Sequence, residues 1–598
     1  MPHKERGNAM RRYNVTRGAK TTAGGTVTTG SGTVILMGEP LAREGDSVEC
    51  PACGTVGVIV CAGRHLEALV SGSESALEGD ICQCACSPSP TLIANQSIMF
   101  QTFEGPLAPP VPLEEEEEEE ALDEGITLRI GLFFDGTGNN DANAGATAGC
   151  HVVNFGYDKA MADDMLRFCR QQGFDGAGGT PNNSYGNTPS NVARLYGLYR
   201  DDADTNIGHE REAGIAVYLE GIGTTSGEAD SLLGQGMGIG STGVAARVEQ
   251  APAVVVSKLR QFRIKNPKRV IQRIEFDLFG FSRGGAAARH CANEILKGPH
   301  SLFAQAIPPL SDGLANDFDW RHGQDFIINF IGLFDTVPGI ADPLAGDFSP
   351  HNAHNPGLNL RLAPGSARKV VQLVAEHEYR HNFSLMLSGS DIRLPGAHSD
   401  IGGGYLPLAT ERVVLSQADL SLEALDCPAT QSKAYQRARE RGLQGVAPYG
   451  HAFGGKVGIH HWEEPLPYDR RFDVKPLKHV YAAVTSERQV RGELSLVYLR
   501  IMRELGTRAR VPFGLIDDRD PKLALPDELK PIAQKLRAYA LGEAPYSLSE
   551  AELRLLRHHY IHLSANWTVV AGKGRSGIEA LFINRPGSGN RRAEHPNE

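Results

Sequence analysis

Ser282 stands at the centre of Gly280-Phe-Ser-Arg-Gly284, a G-x-S-x-G pentapeptide. A serine hydroxyl becomes an effective nucleophile when a histidine takes its proton and a carboxylate fixes the imidazole tautomer. Before the pentapeptide, Ile274, Phe276 and Leu278 alternate as in a strand; after it, the alanine-rich residues 286–296 continue as a helix. Strand, turn and helix in that order predict a nucleophile elbow, in which a strained turn lifts the hydroxyl clear of the sheet. Glycines two positions before and after the serine let neighbouring backbone pass without Cβ clashes. The partners are expected at strand ends, in the order Ser, Asp, His. Asp335 closes the apolar run 326–334, and His398 lies in a glycine-rich loop, so both fit. Asp342, Asp391 and Asp400 are rival acids, and His290 and His377 are rival bases. His290 sits about two turns along the elbow helix and cannot easily fold back onto Ser282. An oxyanion hole would use the backbone N–H of Arg283 and one from Gly136 or Thr137, because donors must point at developing charge. The competing readings make Asp335 a turn cap and His398 a loop brace.

A second group of residues suits metal chemistry. Six of the ten cysteines fall early: Cys50, Cys53, Cys61, Cys82, Cys84 and Cys86. Cys50-x-x-Cys53 has a knuckle spacing, and Cys82, Cys84 and Cys86 alternate, so a strand would turn them to one face. Four thiolates in a small β domain suit tetrahedral Zn²⁺, with Cys50, Cys53, Cys84 and Cys86 as the expected set. Disulfides are the competing account, and they fit poorly with a chain whose N-terminus shows no apolar signal core. Unliganded structural cysteines are the third. The remaining four (Cys150, Cys169, Cys291 and Cys427) read as small buried residues.

The elements that must position these groups follow from the chain's organisation. With 598 residues, 41% hydrophobic and 22% charged, the chain reads as a globular protein of two or more domains. A formal net charge of −11 argues against nucleic-acid binding, and no apolar run approaches the ~20 residues of a transmembrane segment. Residues 1–24 read as a flexible lead-in. Residues 25–101 form a β-prone region with an internal repeat: Gly38-Glu-Pro-Leu-Ala-Arg-Glu-Gly-Asp46-Ser-Val-Glu-Cys50 returns as Gly72-Ser-Glu-Ser-Ala-Leu-Glu-Gly-Asp80-Ile-Cys-Gln-Cys84. Residues 102–125 are a spacer, proline-rich and then a run of glutamates from Glu114 to Glu120. Residues 126–410 read as an α/β core with a mainly parallel sheet. Its first strand-like run, 126–134, leads into Asp135-Gly-Thr-Gly-Asn-Asn140, a loop that either binds an ion such as Ca²⁺ or simply turns. The formal G-x-G-x-x-G at 238–243 follows no strand, so it reads as a mobile loop beside the site rather than a dinucleotide fingerprint. Residues 411–598 read as a polar, helical region that completes or covers the site, and His558-His-Tyr-Ile-His562 within it as a packing or surface feature.

Two resemblances attach to these motifs. The Gly-Asp repeat, Gly57-Val-Ile-Val60 and the Cys82-Gln-Cys-Ala-Cys86 ending before Pro88 and Pro90 resemble the PAAR-repeat domains of the type VI secretion spike tip. That resemblance covers roughly residues 20–101 and implies a small metal-holding β domain seated on the trimeric VgrG spike. The family's ligand set is rich in histidine, whereas this stretch offers His65 among many cysteines. Over roughly residues 126–570, Phe133-Phe-Asp-Gly-Thr-Gly-Asn139, Gly280-Phe-Ser-Arg-Gly284, Phe334-Asp-Thr-Val337 and Pro395-Gly-Ala-His-Ser-Asp-Ile-Gly-Gly-Gly-Tyr405 look like the family 1 type VI lipase effectors. That resemblance implies an α/β-hydrolase phospholipase A whose triad falls on Ser282, Asp335 and His398. It further implies a membrane phospholipid substrate and a cognate immunity protein. Synthesis would be cytoplasmic, with secretion by the type VI machine and action on the periplasmic side of the target membrane. A catalytically silent spike-tip adaptor and a serine esterase for soluble esters are the alternatives.

Overall fold

In the computed structural model the described residues are 10–36, 38–62, 65–66, 69–70, 73–103, 125–141, 187–222, 224, 243–311, 313–338, 357–446, 449, 453–471, 474–567 and 584–597. The spacer with its glutamate run, most of the glycine-rich loop before residue 243, and Asp342 lie outside them. The chain divides into two units, residues 1–120 and 121–598.

The first unit is all β. Its six-stranded sheet runs Ile81–Gln83, Thr55–Val60, Ser47–Cys50, Thr26–Val27, Lys20–Thr21 and Leu92–Ile93, each neighbour antiparallel to the next. The sequence repeat is a structural one. Gly45 and Gly79 take left-handed φ values of 86° and 87°, and the aspartate after each bends back onto the chain. Asp46 Oδ2 accepts the Arg43 N–H at 2.8 Å, and Asp80 Oδ2 accepts the Leu77 N–H at 2.7 Å. Glycine is needed at both turns because a Cβ disfavours that conformation. The flexible lead-in expected over 1–24 needs correction: Met10–Tyr13 pairs antiparallel with Phe100–Phe103, and Lys20–Thr21 belongs to the sheet. Polar, basic composition masked strands whose pairing partners lie far along the chain.

The second unit is organised by a six-stranded parallel sheet. We label its strands β1 (Gly125–Phe134), β2 (Glu212–Leu219), β3 (Val270–Phe281), β4 (Phe326–Phe334), β5 (Lys369–Ala375) and β6 (Asp391–Leu394), in spatial order β2-β1-β3-β4-β5-β6. Both faces are covered, which explains why these strands read as near-continuous apolar runs. Leu132, Phe276 and Leu278 pack with helices Val244–Lys265 and Arg283–Ile295 on one face. Phe133, Phe279 and Phe281 pack with helices Asn191–Leu198 and Leu494–Arg508 on the other. The alternation of strand side chains divides one sequence between two cores.

Beyond residue 410 the helical expectation needs correction as well. Helices Lys433–Gln444, Leu494–Arg508, Leu529–Ala540 and Glu550–His559 are present. So is a four-stranded antiparallel sheet in which the long strand Leu477–Arg491 pairs with Leu408–Val414, Asp419–Ala424 and Lys456–Pro465. Leu408–Val414 runs across the boundary placed at 410. Residues 584–597 return to the parallel sheet's neighbourhood, where Glu594–His595 pairs with Leu385–Met386.

Candidate active site

Parallel register sets the site. Phe281 on β3 is level with Phe334 on β4, and Gly280 is level with Phe134 on β1. Ser282, Asp335 and Asp135 therefore leave the sheet side by side at the carboxyl ends of three adjacent strands, the edge where open α/β sheets place their chemistry.

Ser282 is the turn between β3 and the helix Arg283–Ile295, with φ 58° and ψ −127°, and is 4% exposed. A non-glycine residue with positive φ is strained, and surrounding structure must hold it there. The Ser282 N–H donates to the Phe334 carbonyl at 3.0 Å, and the Ser282 carbonyl accepts the Gly285 N–H at 2.9 Å. A Cβ on Gly280 would sit 2.3 Å from the Gly284 carbonyl oxygen, and one on Gly284 would sit 2.3 Å from the carbonyl oxygens of Phe134 and Asp135. Both glycines of the pentapeptide are thus required by close backbone passage.

Asp335 also has a positive φ, 45°, and is fully buried. Its Oδ2 is 2.6 Å from His398 Nδ1, and its Oδ1 accepts the Ala375 N–H at 2.9 Å. Arg592 grips both oxygens, Nη1 to Oδ2 at 2.7 Å and Nη2 to Oδ1 at 2.6 Å. Burial alone would raise this carboxyl, but the Arg592 guanidinium and the hydrogen bonds from Arg592 and His398 outweigh it and hold Asp335 well below the usual range. His398, 3% exposed, opens the short helix His398–Gly402. Its ring packs on Phe281, the residue before Ser282, at 4.6 Å between centroids, and edge-on to Phe383 at 4.8 Å. Burial lowers its basicity more than Asp335 raises it, so the imidazole is neutral at pH 7. A neutral imidazole with Nδ1 on a carboxylate presents Nε2 as a proton acceptor.

A supporting ring holds His398 in place. Its backbone N–H donates to Glu378 Oε2 at 3.2 Å, and Glu378 pairs with Arg380 at 2.8 Å. Burial opposes ionisation of Glu378, yet Arg380 brings it down to about 2. Asp400 Oδ2 accepts the Ala397 N–H at 2.8 Å, and its Oδ1 meets His562 Nδ1 at 2.7 Å. The rivals thus have other work. Asp400 braces the loop, while Asp391 takes N–H groups from Ser388 and Gly389 in a tight turn. His377 accepts the Gly396 N–H at 3.1 Å, and His290 accepts that of Asn359 at 3.1 Å. His562 is a buried packing residue stacked on Tyr405 at 3.7 Å. Sequence reasoning missed Arg592, Glu378 and Arg380. Arg592 lies 257 residues from Asp335 and stands in no local motif.

Arg283 opens the helix after Ser282, where backbone N–H groups point out along the axis. The Gly136 N–H donates to Asp135 Oδ1 at 2.6 Å. Burial pushes the Asp135 carboxyl up to about 6 against hydrogen bonds from Ser190, Tyr218 and Gly136. Its Oδ2 accepts the Tyr218 hydroxyl at 2.6 Å. With donors on both oxygens, the Asp135 carboxylate is tied to the backbone of its own loop and to β2.

In the first unit, the thiol sulfurs of Cys50, Cys53, Cys84 and Cys86 lie within 4.8 Å of one another, and Cys50 Sγ to Cys86 Sγ is 3.7 Å. A tetrahedron with metal–sulfur bonds of ~2.3 Å has sulfur–sulfur edges of ~3.8 Å, so the four fit a metal ion. All four are free thiols rather than disulfides. Cys82 departs from the expected shared face. The strand ends at Gln83, leaving Cys82 in the core with Val48 and Ile59 while Cys84 and Cys86 follow in a bend. Among the described residues, no helix is long and apolar enough to cross a membrane.

Comparison with known proteins gives two results that fit this geometry. The PAAR motif family model matches residues 17–87. A Tle1 effector, solved bound to the VgrG spike of the type 6 secretion system, is similar with a TM-score of 0.60 and 28% identity, covering 84% of this chain and 97% of that one. An uncharacterized protein from Pseudomonas aeruginosa aligns at 18% identity and a TM-score of 0.34, over 72% of this chain and 53% of that one. No curated protein matches. The chain thus joins a PAAR motif to a parallel-sheet unit, and over most of its length it is built like a Tle1 effector.

Proposed function

We propose that this protein is a type VI secretion effector, an α/β-hydrolase phospholipase A carried by its own PAAR domain. The observation that supports the reading most is the His398–Asp335 pair at 2.6 Å, with Asp335 at the end of β4 and His398 opening the short helix after β6, beside a strained Ser282. In the reaction, Ser282 Oγ attacks the acyl carbonyl of a glycerophospholipid while His398 Nε2 takes its proton. Asp335, kept ionised by Arg592, stabilises the imidazolium that forms. The Arg283 N–H supplies one oxyanion donor. The second comes from Gly136, once its contact to Asp135 opens, or from Thr137. His398 then protonates the departing lysophospholipid oxygen, and water, activated by the same imidazole, releases the fatty acid and restores Ser282.

The likeness to an effector solved on a VgrG spike supports a VgrG partner for this chain. The Cys50, Cys53, Cys84 and Cys86 set suits Zn²⁺, which would hold the first unit together without touching the chemistry. Delivery from the producer's cytoplasm to the periplasmic face of a target membrane, and a cognate immunity protein in the producer, complete the reading.

The deciding experiment measures fatty-acid release from phosphatidylethanolamine–phosphatidylglycerol vesicles by the wild type and by Ser282→Ala. The expected result is release by the wild type and a loss of ~10⁴-fold or more in the variant. Equal release by both would overturn the assignment of Ser282. Hydrolysis of short soluble esters with no release from vesicles would overturn the lipid substrate.

A further inference from the structure

The two repeats of the first unit are not chemically equivalent, and the difference converges on one point. In the first repeat, Asp46 Oδ1 accepts the hydroxyl of Thr29 at 2.8 Å. In the second, the corresponding Asp80 Oδ1 is 2.8 Å from His65 Nε2 and also accepts from Arg12 at 2.6 Å and from the Ala62 N–H at 2.9 Å. A threonine that ends at its aspartate is thus replaced by a ring with a second nitrogen beyond it.

That second nitrogen has no hydrogen-bond partner. The His65 side chain is 7% exposed, and its Nδ1 is buried without donor or acceptor. Leaving a ring nitrogen dry and unpaired costs free energy comparable to a lost hydrogen bond. Nδ1 lies near one ligating group, and His65 is grouped with a second. Glu74 Oε2 is 3.7 Å away, and the Cys61 thiol, His65 and Glu74 offer ligand atoms that all lie within 4.8 Å of one another. For a tetrahedral ion with bonds of ~2.1 Å to nitrogen and oxygen, the nitrogen–oxygen edge is ~3.4 Å, close to that separation. An imidazole that binds a metal through one nitrogen normally gives its other N–H to a carboxylate, and Asp80 stands where that carboxylate belongs.

We infer that Cys61, His65 and Glu74 form a second divalent-metal site in the first unit, separate from the four-cysteine cluster. His65 Nδ1 is a ligand and Asp80 orients the ring. One thiolate, one imidazole and one carboxylate suit a borderline ion of the zinc class and exclude calcium and magnesium, which take oxygen ligands. Thiolate and carboxylate together balance the two charges of the ion. Arg12 neutralises Asp80, so Asp80 adds no net charge. Three protein ligands leave the fourth position to water or to an atom brought by a partner. The site ties together two strands that are not paired with each other, since Cys61 follows Thr55–Val60 and Glu74 closes Ser73–Glu74.

The test is metal stoichiometry on the full chain, expressed in zinc medium, freed of loose metal and normalised to protein sulfur. A Co²⁺-exchanged sample adds the sulfur-to-metal charge-transfer band as a second readout. The expected result is two equivalents in the wild type and one in Cys61→Ser, His65→Ala and Glu74→Gln. The four-cysteine band should stay at full height, which shows that the unit is folded. In the converse variant, Cys50→Ser with Cys53→Ser, one equivalent should remain, with the weaker band of a single thiolate. Unchanged metal content in the three single variants would overturn the proposal. So would a metal-free converse variant that still keeps its β-sheet circular dichroism. Failure of the four-cysteine site alone would show as one equivalent in the wild type that His65→Ala removes, an outcome that supports the second site.

Discussion

Asp335 is a fully buried carboxylate, and Arg592 makes its charge tolerable. A buried carboxylate deprived of its guanidinium is left as an unpaired charge, which costs ~3–5 kcal/mol. Arg592→Gln should therefore lower unfolding free energy by about that amount. It should also cut vesicle hydrolysis by ~10²-fold or more, because a protonated Asp335 no longer stabilises the imidazolium. Chemical denaturation beside the release assay checks both. The pH dependence follows from signs. Asp335 is depressed, so its contribution is fully present above the ordinary carboxylate value and is lost only as pH falls through its own lower one. His398 is also depressed, below 6.5, so between its folded and ordinary values the unfolded chain binds the extra proton. Stability then falls as pH drops through that window, while the neutral base survives in the folded site. The acid limb of kcat/KM should accordingly lie below 6.5, the ordinary histidine value. A limb above 7 would exclude His398 as the base. At this scale the sequence was informative where chemistry is local: Ser282, Asp335 and His398 each sit in a short patterned stretch. The groups that hold them, Arg592, Glu378 and the Asp400–His562 pair, are defined by contacts across the fold and leave no local pattern.

The elbow depends on backbone contact rather than on side chains. Gly284→Ala would press a methyl group to 2.3 Å from two carbonyl oxygens of the β1 end, and neither strand nor helix has room to yield. The expected cost is ~1–3 kcal/mol, with activity lost beyond what stability explains, because Ser282 shifts with the turn. Thermal melting and the vesicle assay, read together, check this. Gly458, with an ordinary 3.7 Å neighbour, is the control that should tolerate alanine. Elements were legible to the extent that burial writes a pattern. The parallel strands are apolar throughout and announced themselves. Lys456–Pro465 is exposed along nearly its whole length, so it shows no alternation to distinguish it from a loop. The strand Met10–Tyr13 is four residues whose partner comes from Phe100–Phe103, and no window of sequence contains both.

Two units of unequal core predict unequal dependence on metal. Among the described residues, the first unit's core is one cluster of nine, including Val15, Val48, Ile59 and Leu92, small enough that ligand bonds become a large share of its stability. Strong chelation should abolish its cooperative melting transition while leaving hydrolysis of a soluble ester within about twofold, since the candidate ligands belong to the first unit and Ser282 to the second. Differential scanning calorimetry with and without chelator reads both transitions, and a parallel loss of esterase activity would contradict this division. The sequence reading missed how late in the chain the second unit receives Arg592. Arg592 must reach back 257 residues to Asp335, so a ribosome must add that whole stretch after Asp335 before the carboxylate gains its counter-ion. On the proposed function, the nascent chain until then holds its serine and histidine without a working relay. Order of synthesis thus acts as a safety catch, and a chain stalled short of Arg592 should be inert toward the membranes of the cell that makes it.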